Sequence, residues 1–129
     1  MEKLLGRFTP HIFALTRIIA GLMFACHGAQ KLLPMFGGPT ADKPPLIWGA
    51  GIIELVAGML IALGLFASPA AFLASGTMAV AYFMSHGSKG FWPLLNRGEL
   101  AIMYCWFFLF VAAHGAGIWS LDGLLRKRS

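Results

Sequence analysis

The chain has 129 residues, of which 58% are hydrophobic and only 12% charged, and its mean hydropathy is +0.74. A chain this short cannot enclose so many apolar side chains in a water-soluble core, which excludes an ordinary soluble domain and favours a single membrane domain over residues 1–129. The net charge of +5 comes from basic residues dispersed at the ends of apolar segments. It therefore indicates membrane orientation rather than a nucleic-acid-binding surface.

Four apolar segments follow one another along the chain, and each is about long enough to cross a bilayer as a helix. They run from Ala14 to Leu33, from Ile47 to Phe66, from Pro69 to Met84 and from Leu100 to Trp119. The first shows no small-residue cleavage site, so we interpret it as a span rather than a signal peptide. The sequence predicts an all-α, integral membrane four-helix bundle with both termini on one side.

Proline and glycine mark the connections between the predicted spans. The segment 34–46 contains four prolines and two adjacent glycines, which predicts a loop outside the hydrocarbon. Ser68 can cap a helix and Pro69 suits a first helical turn, so a tight hairpin is predicted between the second and third spans. The glycine-rich segment 85–98 predicts a second external loop, on the side opposite the termini.

The distribution of basic residues predicts which side faces the cytoplasm. Six of the ten lysines and arginines lie at the termini or the adjoining span ends, and four lie on the opposite side. Cytoplasmic segments carry an excess of Lys and Arg, so the termini are predicted to be cytoplasmic.

Small and polar residues recur on one face of each of the first two spans. In the first span these are five residues spaced by three or four positions: Arg17, Gly21, Phe24, Gly28 and Lys31. In the second span Gly51, Glu54 and Gly58 repeat this spacing. Helix association in lipid depends on close backbone approach and polar contacts, so both faces are predicted to point into the bundle.

Glu54 is the strongest candidate for a functional residue, because an ionisable side chain deep in a span costs about 2.5–3.5 kcal/mol on insertion scales. At about 1.5 Å of rise per residue, His27 falls at the same depth and Lys31 one turn further out. Tyr82 and Tyr104 belong to the same half of the membrane. A polar contact between helices and a site for a ligand or a proton both remain open for Glu54.

Arg17 falls in the other half of the membrane, near the level of His114. A long side chain there can snorkel to the headgroups or form an ion pair, and we include Arg17 with Glu54, His27 and Lys31 among the candidate cofactor-binding residues. The two histidines lie about 12 Å apart in depth, which argues against a haem ligated by both.

Cys26 and Cys105 are isolated in the sequence. No cysteine pair or Cys and His spacing suits zinc, so no metal site is predicted. Packing as small buried hydrophobes is the favoured interpretation of both cysteines, and a disulfide between the first and fourth spans stays open.

The order of glycines and charges across the first two spans carries a family resemblance. The positions concerned are Arg17, Gly21, Gly28, Lys31, Gly51, Glu54, Gly58 and Gly64. With the hairpin near Pro69 and the closing stretch 117–122, the chain resembles the DoxX family of small bacterial membrane proteins. The resemblance implies a four-helix bundle in the bacterial inner membrane, in a group associated with redox and sulfur metabolism. Some relatives are linked to thiosulfate oxidation with quinone as the acceptor.

Two hypotheses of function follow. The first is a redox-associated accessory subunit, rather than an independent enzyme, whose polar pocket around Glu54 takes a quinone. A His and Glu pair could donate a hydrogen bond and a proton to a quinone carbonyl, while electrons would come from a partner subunit. The second is a structural or assembly subunit of a larger membrane complex, in which Glu54 only joins helices and aromatic outer faces bind other subunits or lipids. A small transporter is a minor third hypothesis.

Overall fold

The computed structural model describes residues 1–34, 36 and 43–128, so most of the predicted loop 34–46 lies outside the described residues. Within the described part of the chain the secondary structure is helical throughout, without strands. The five longest helices are α1 (Thr9–Leu32), α2 (Pro45–Leu63), α3 (Ala67–Ala81), α4 (Glu99–His114) and α5 (Leu121–Arg128). The predicted all-α fold is confirmed.

The lengths and compositions of three helical stretches suit membrane spans. These are Glu2–Leu32, which contains α1, then α2, and finally Ala67–Lys89, in which α3 continues through a π-helical turn at Tyr82–His86. The apolar α4 is shorter, at 16 residues, and covers about 24 Å at 1.5 Å per residue. It is long enough to cross most of the hydrocarbon, and we describe it as the fourth helix of the bundle.

The prediction that the fourth span continues to Trp119 is wrong. Helix α4 ends at His114, and the chain then passes through Gly115 and Gly117, whose φ angles are 89° and 72°. Trp119 also has a positive φ, of 53°. Backbone in this left-handed region cannot continue a right-handed helix, so the segment 115–120 is an irregular connection to α5.

The tight hairpin between the second and third spans is confirmed. Helix α2 ends at Leu63 and Gly64 takes the left-handed conformation, with φ 68°, that commonly terminates helices. The predicted cap of α3 is different, because the Ser68 hydroxyl donates a hydrogen bond of 2.6 Å to the carbonyl of Ala112 instead of capping its own helix.

The glycine faces of α1 and α2 point into the bundle, as predicted, and the structure places them directly against each other. A Cβ atom on Gly21 would lie 2.6 Å from the amide nitrogen of Ala62, and one on Gly58 would lie 2.5 Å from that of Ala25. Real Cβ atoms do not come this close to backbone. The two helices are therefore in direct backbone contact, the arrangement that small residues permit in membrane bundles.

Large apolar side chains cover the outside of the helices. Phe72, Met103 and Trp106 are each about two-thirds exposed, at 67%, 66% and 66%. In water such a surface would aggregate, whereas in lipid it is the expected exterior. The bundle is built for a bilayer environment.

Candidate functional site

Glu54 occupies the middle of the 19-residue helix α2 and is almost fully buried, with 1% of its surface exposed. Its Oε1 atom forms an ion pair with Nζ of Lys31, whose side chain is 33% exposed. The structure thus brings together two of the four predicted site residues, because the glycine contacts place α1 directly against α2.

Two polar atoms beside this ion pair are buried without hydrogen-bond partners among the described residues. They are Oε2 of Glu54 and the hydroxyl of Tyr104, a residue of α4 that is only 7% exposed. The Tyr104 hydroxyl lies within electrostatic range of both Glu54 and Cys26. Buried polar groups are normally hydrogen-bonded because desolvating them is costly, so this spot is chemically suited to a small polar group.

His27 connects this interior spot to the surface of α1. Its ring lies edge-on to Tyr104, with 6.1 Å between the ring centroids, and it also lines a groove of about 470 Å³. Cys26 and Gln30 line the same groove, together with apolar side chains of α1. Three of the four predicted residues, Glu54, Lys31 and His27, therefore surround one region. Together with Tyr104, which was not among the predicted site residues, they form what we call the Glu54 site.

Arg17 lies apart from the Glu54 site, at the other end of α2. It is fully buried, and its Nη1 atom donates hydrogen bonds of 2.6 and 3.0 Å to the carbonyls of Ile61 and Ala62. Its Nη2 atom donates to the carbonyls of Ile118 and Trp119, at 3.4 and 2.8 Å. One guanidinium thus joins the C-terminal end of α2 to the segment that precedes α5, where the helix dipole favours a cation.

Asp122 performs the complementary role at the start of α3. Its two carboxylate oxygens accept hydrogen bonds from the amides of Phe66 and Ala67, at 2.8 and 3.0 Å, and its own amide donates to the carbonyl of Gly64 at 2.9 Å. We call Arg17, Asp122 and the backbone they bind the terminal clasp. Sequence reasoning missed this cap because capping residues normally adjoin their helix, whereas Asp122 follows Ala67 by 55 positions.

Asn96 was also missed, although it organises the loop between α3 and α4. It is 4% exposed, and its amide nitrogen donates to the Tyr82 hydroxyl at 3.1 Å and to the Gly90 carbonyl at 2.9 Å. Its oxygen accepts from the Gly98 amide at 2.8 Å. Tyr82 therefore serves this loop rather than the Glu54 site. Asparagine in a glycine-rich loop is too common for its sequence alone to reveal such a role.

The remaining candidate groups are separate from one another. The ring of His114 packs against Phe13, with 3.9 Å between centroids, far along the chain from His27.

Both cysteines are free thiols. Cys105 is half-buried beside the hydroxyl of Ser75, at 3.5 Å, but Cys26 is exposed, so its predicted burial is wrong. Among the described residues no group of three His, Cys, Asp or Glu side chains could hold a metal ion.

These features define the class of protein: a small, all-helical membrane protein with a buried ion pair at the middle of a span. A model of the DoxX family matches residues 12–87, and the chain belongs to this family. It is 41% identical over 131 residues to an uncharacterised protein of Haemophilus influenzae, and this alignment covers 96% of this chain and 98% of the relative. It is also 28% identical over 145 residues to an uncharacterised membrane protein of Mycobacterium tuberculosis, over 98% of this chain and 89% of the relative. No solved structure matches the chain.

Proposed function

We propose that this protein is a redox-associated accessory subunit of the bacterial inner membrane, with cytoplasmic termini, that binds a quinone or a similar amphiphile at the Glu54 site. The observation that carries the proposal is the pair of buried oxygens on Glu54 and Tyr104 that have no hydrogen-bond partner in the part of the chain that the structure describes. A quinone headgroup carries two carbonyl acceptors, and its reduced form carries two hydroxyl donors. The Tyr104 hydroxyl suits the former and Glu54 Oε2 the latter.

The groove on α1 supports an amphiphilic ligand. Its volume of about 470 Å³ falls within the range of small-molecule sites, and the apolar side chains of Ile19, Leu22 and Met23 line it beside the polar groups of His27 and Gln30. An isoprenoid chain would lie along the apolar part, which faces lipid. The headgroup would approach Tyr104 past His27, whose ring contacts the tyrosine.

The role of each residue follows from its surroundings. Lys31 pairs with one oxygen of Glu54 and is partly exposed, so it holds that oxygen and leaves Oε2 to the headgroup. His27 stands between the groove and the buried oxygens and is suited to hydrogen bonding with the headgroup. Electrons would come from a partner membrane protein. This chain would bind and orient the quinone rather than act as an independent enzyme.

A second candidate function rests on the same ion pair. The contact between Lys31 and Glu54 joins α1 to α2, and such a contact is sufficient for a structural or assembly subunit in which Glu54 has no ligand. Polar contacts between membrane helices contribute on average about 0.6 kcal/mol. In this alternative the exposed aromatic side chains of the bundle would contact other subunits.

Purification in mild detergent, followed by lipid extraction and quinone quantification, distinguishes the two functions. We expect the wild-type chain to retain quinone. Glu54→Gln and Tyr104→Phe should each retain about tenfold less, which is the decrease in binding expected when a hydrogen bond to a buried group is removed. Tyr82→Phe is the matched control, because Tyr82 belongs to the loop around Asn96, and it should retain quinone.

The opposite results would reject the quinone role. If the wild-type chain holds no quinone, or if both variants hold as much as the control, the Glu54 site does not bind it. Loss of folding or of association with partner proteins in Glu54→Gln, without any quinone in the wild type, would support the structural role.

A further inference from the structure

A second cavity lies on the side of the termini, at the opposite end of the bundle from the groove on α1. It has a volume of about 760 Å³ and lies between the C-terminal end of α2 and the segment 117–127. Leu63, Ile118, Trp119 and Leu124 supply apolar walls, and Lys127 is the one cation that lines it among the described residues. An apolar cavity with one cation at its edge matches an amphiphile with an anionic head.

The charges around this cavity are mostly positive. Helix α5 ends in three consecutive basic residues, 126–128, and Arg17 lies buried beneath the cavity, bonded to the carbonyls of Ala62 and Trp119. Among the described residues the nearby negative group is Asp122, and both of its carboxylate oxygens are engaged by the amides that begin α3. The surroundings therefore favour an anionic ligand over a zwitterionic one.

The position of the cavity along the bundle corresponds to the headgroup region of a bilayer. Trp119 is 57% exposed and follows the end of α4 by five residues, and Trp is enriched at the membrane interface. In α5, Leu121, Leu124 and Leu125 share one face by helical spacing, and all three are exposed. A short helix with an apolar face and a basic end is suited to lie in the interface plane.

We propose that this cavity binds one anionic phospholipid, such as phosphatidylglycerol. The phosphate is held at Lys127, and the acyl chains descend along Leu63 and Ile118, which are 48% and 38% exposed. The terminal clasp fixes the shape of this site, because Arg17 attaches the segment before α5 to the end of α2 and Asp122 attaches the first turn of α5 to the start of α3. The site is independent of the Glu54 site and of any quinone.

Native mass spectrometry of the purified full-length chain tests this proposal. The protein is titrated with phosphatidylglycerol and, separately, with phosphatidylcholine of identical acyl chains. A basic residue near an anionic headgroup contributes about 1 kcal/mol, so we expect at least about fivefold tighter binding of phosphatidylglycerol. Lys127→Gln should remove this preference, and Lys127→Arg should retain it.

Lys3→Gln is the matched control, because Lys3 is an exposed basic residue on the same side of the bundle that does not line the cavity. It should retain the full preference for phosphatidylglycerol. Equal binding of the two lipids by the wild type would overturn the proposal, as would an unchanged preference in Lys127→Gln. An equal loss of the preference in Lys3→Gln would show non-specific electrostatic attraction and would also overturn the proposal. Displacement of the lipid by inorganic phosphate would show an anion site without lipid recognition, with the same consequence.

Discussion

Arg17 and Glu54 are both buried charges on the contact between α1 and α2, but their surroundings differ. Arg17 donates four hydrogen bonds to backbone carbonyls through its two terminal nitrogens, which couple it to two separate segments of the chain, and only its Nε atom is buried without a partner among the described residues. Glu54 has one ion-pair partner and one oxygen without a partner among the described residues. A buried charge that completes the backbone hydrogen bonding of its fold is best explained by stability. A buried charge that is only half satisfied points to a ligand.

The largest expected effect comes from removing the guanidinium of the terminal clasp. Arg17→Met would leave several buried carbonyls without donors and remove one of the two attachments of the α5 region to the hairpin, at a cost of about 3–5 kcal/mol in the free energy of unfolding. Titration with a denaturing detergent in mixed micelles measures this cost. The control is Arg7→Met, which removes an exposed arginine whose guanidinium lies over the ring of Phe8. Equal stability of the two variants would show that the clasp is not structural.

The contact between α1 and α2 holds the two regions in register, and glycine substitution tests it. Gly58→Ala would place a Cβ 2.5 Å from the Ala25 amide nitrogen, so the helices must separate, at a cost of about 1–3 kcal/mol. Gly49→Ala is the matched control in the same helix, because a Cβ there meets nothing within 4 Å. The thermal unfolding midpoint should fall for Gly58→Ala and stay level or rise for Gly49→Ala. A similar fall in both would contradict direct backbone contact.

The helix cap supplied by Asp122 should have a smaller effect than Arg17. Asp122→Ala removes both hydrogen bonds to the first amides of α3, and loss of an N-cap typically costs about 1–2 kcal/mol. Because the cap also ties α5 to the hairpin, hydrogen exchange should accelerate in the segment 118–128 and at the start of α3. Unchanged exchange in that segment would mean that Arg17 alone attaches it.

The ion pair of the Glu54 site is expected to contribute less to the free energy of unfolding than the Asp122 cap. A double-mutant cycle with Lys31→Met and Glu54→Gln should give a coupling free energy of about 0.6 kcal/mol, the average for polar contacts between membrane helices. Lys31 is a third exposed, which limits the strength of the pair. Coupling of several kcal/mol would make Glu54 resemble Arg17 and would favour the structural role for both.

The smallest effect on stability is expected from Tyr104→Phe in lipid-depleted protein. The substitution removes a buried hydroxyl without a partner in the described part of the chain and keeps the ring contacts to Phe24 and Phe108. The unfolding free energy should therefore stay within about 0.5 kcal/mol of the wild type. A loss above about 1 kcal/mol would mean that the hydroxyl is hydrogen-bonded in the fold.

The order of apolar segments was sufficient to predict the helical membrane fold and the tight hairpin, because a bilayer demands about 20 apolar residues for each helix crossing it. The spacing of Gly21, Gly28, Gly51 and Gly58 also predicted that these faces of α1 and α2 point into the bundle, since small residues at intervals of three and four share one helical face. The helical rise per residue then placed Lys31 and His27 near the depth of Glu54 in the membrane. Each of these conclusions depends on local periodicity, which a sequence displays directly.

The tertiary structure alone decided how the charges are satisfied. Asp122 caps a helix that begins 55 residues earlier, and Tyr104 of α4 buries its hydroxyl within electrostatic range of Glu54, so neither arrangement leaves a local pattern in the chain. The end of α4 at His114 was likewise hidden, because residues 115–119 continue the apolar composition while their backbone turns left-handed. Composition determines which segments enter the membrane, but the distribution of buried hydrogen bonds depends on which distant segments meet.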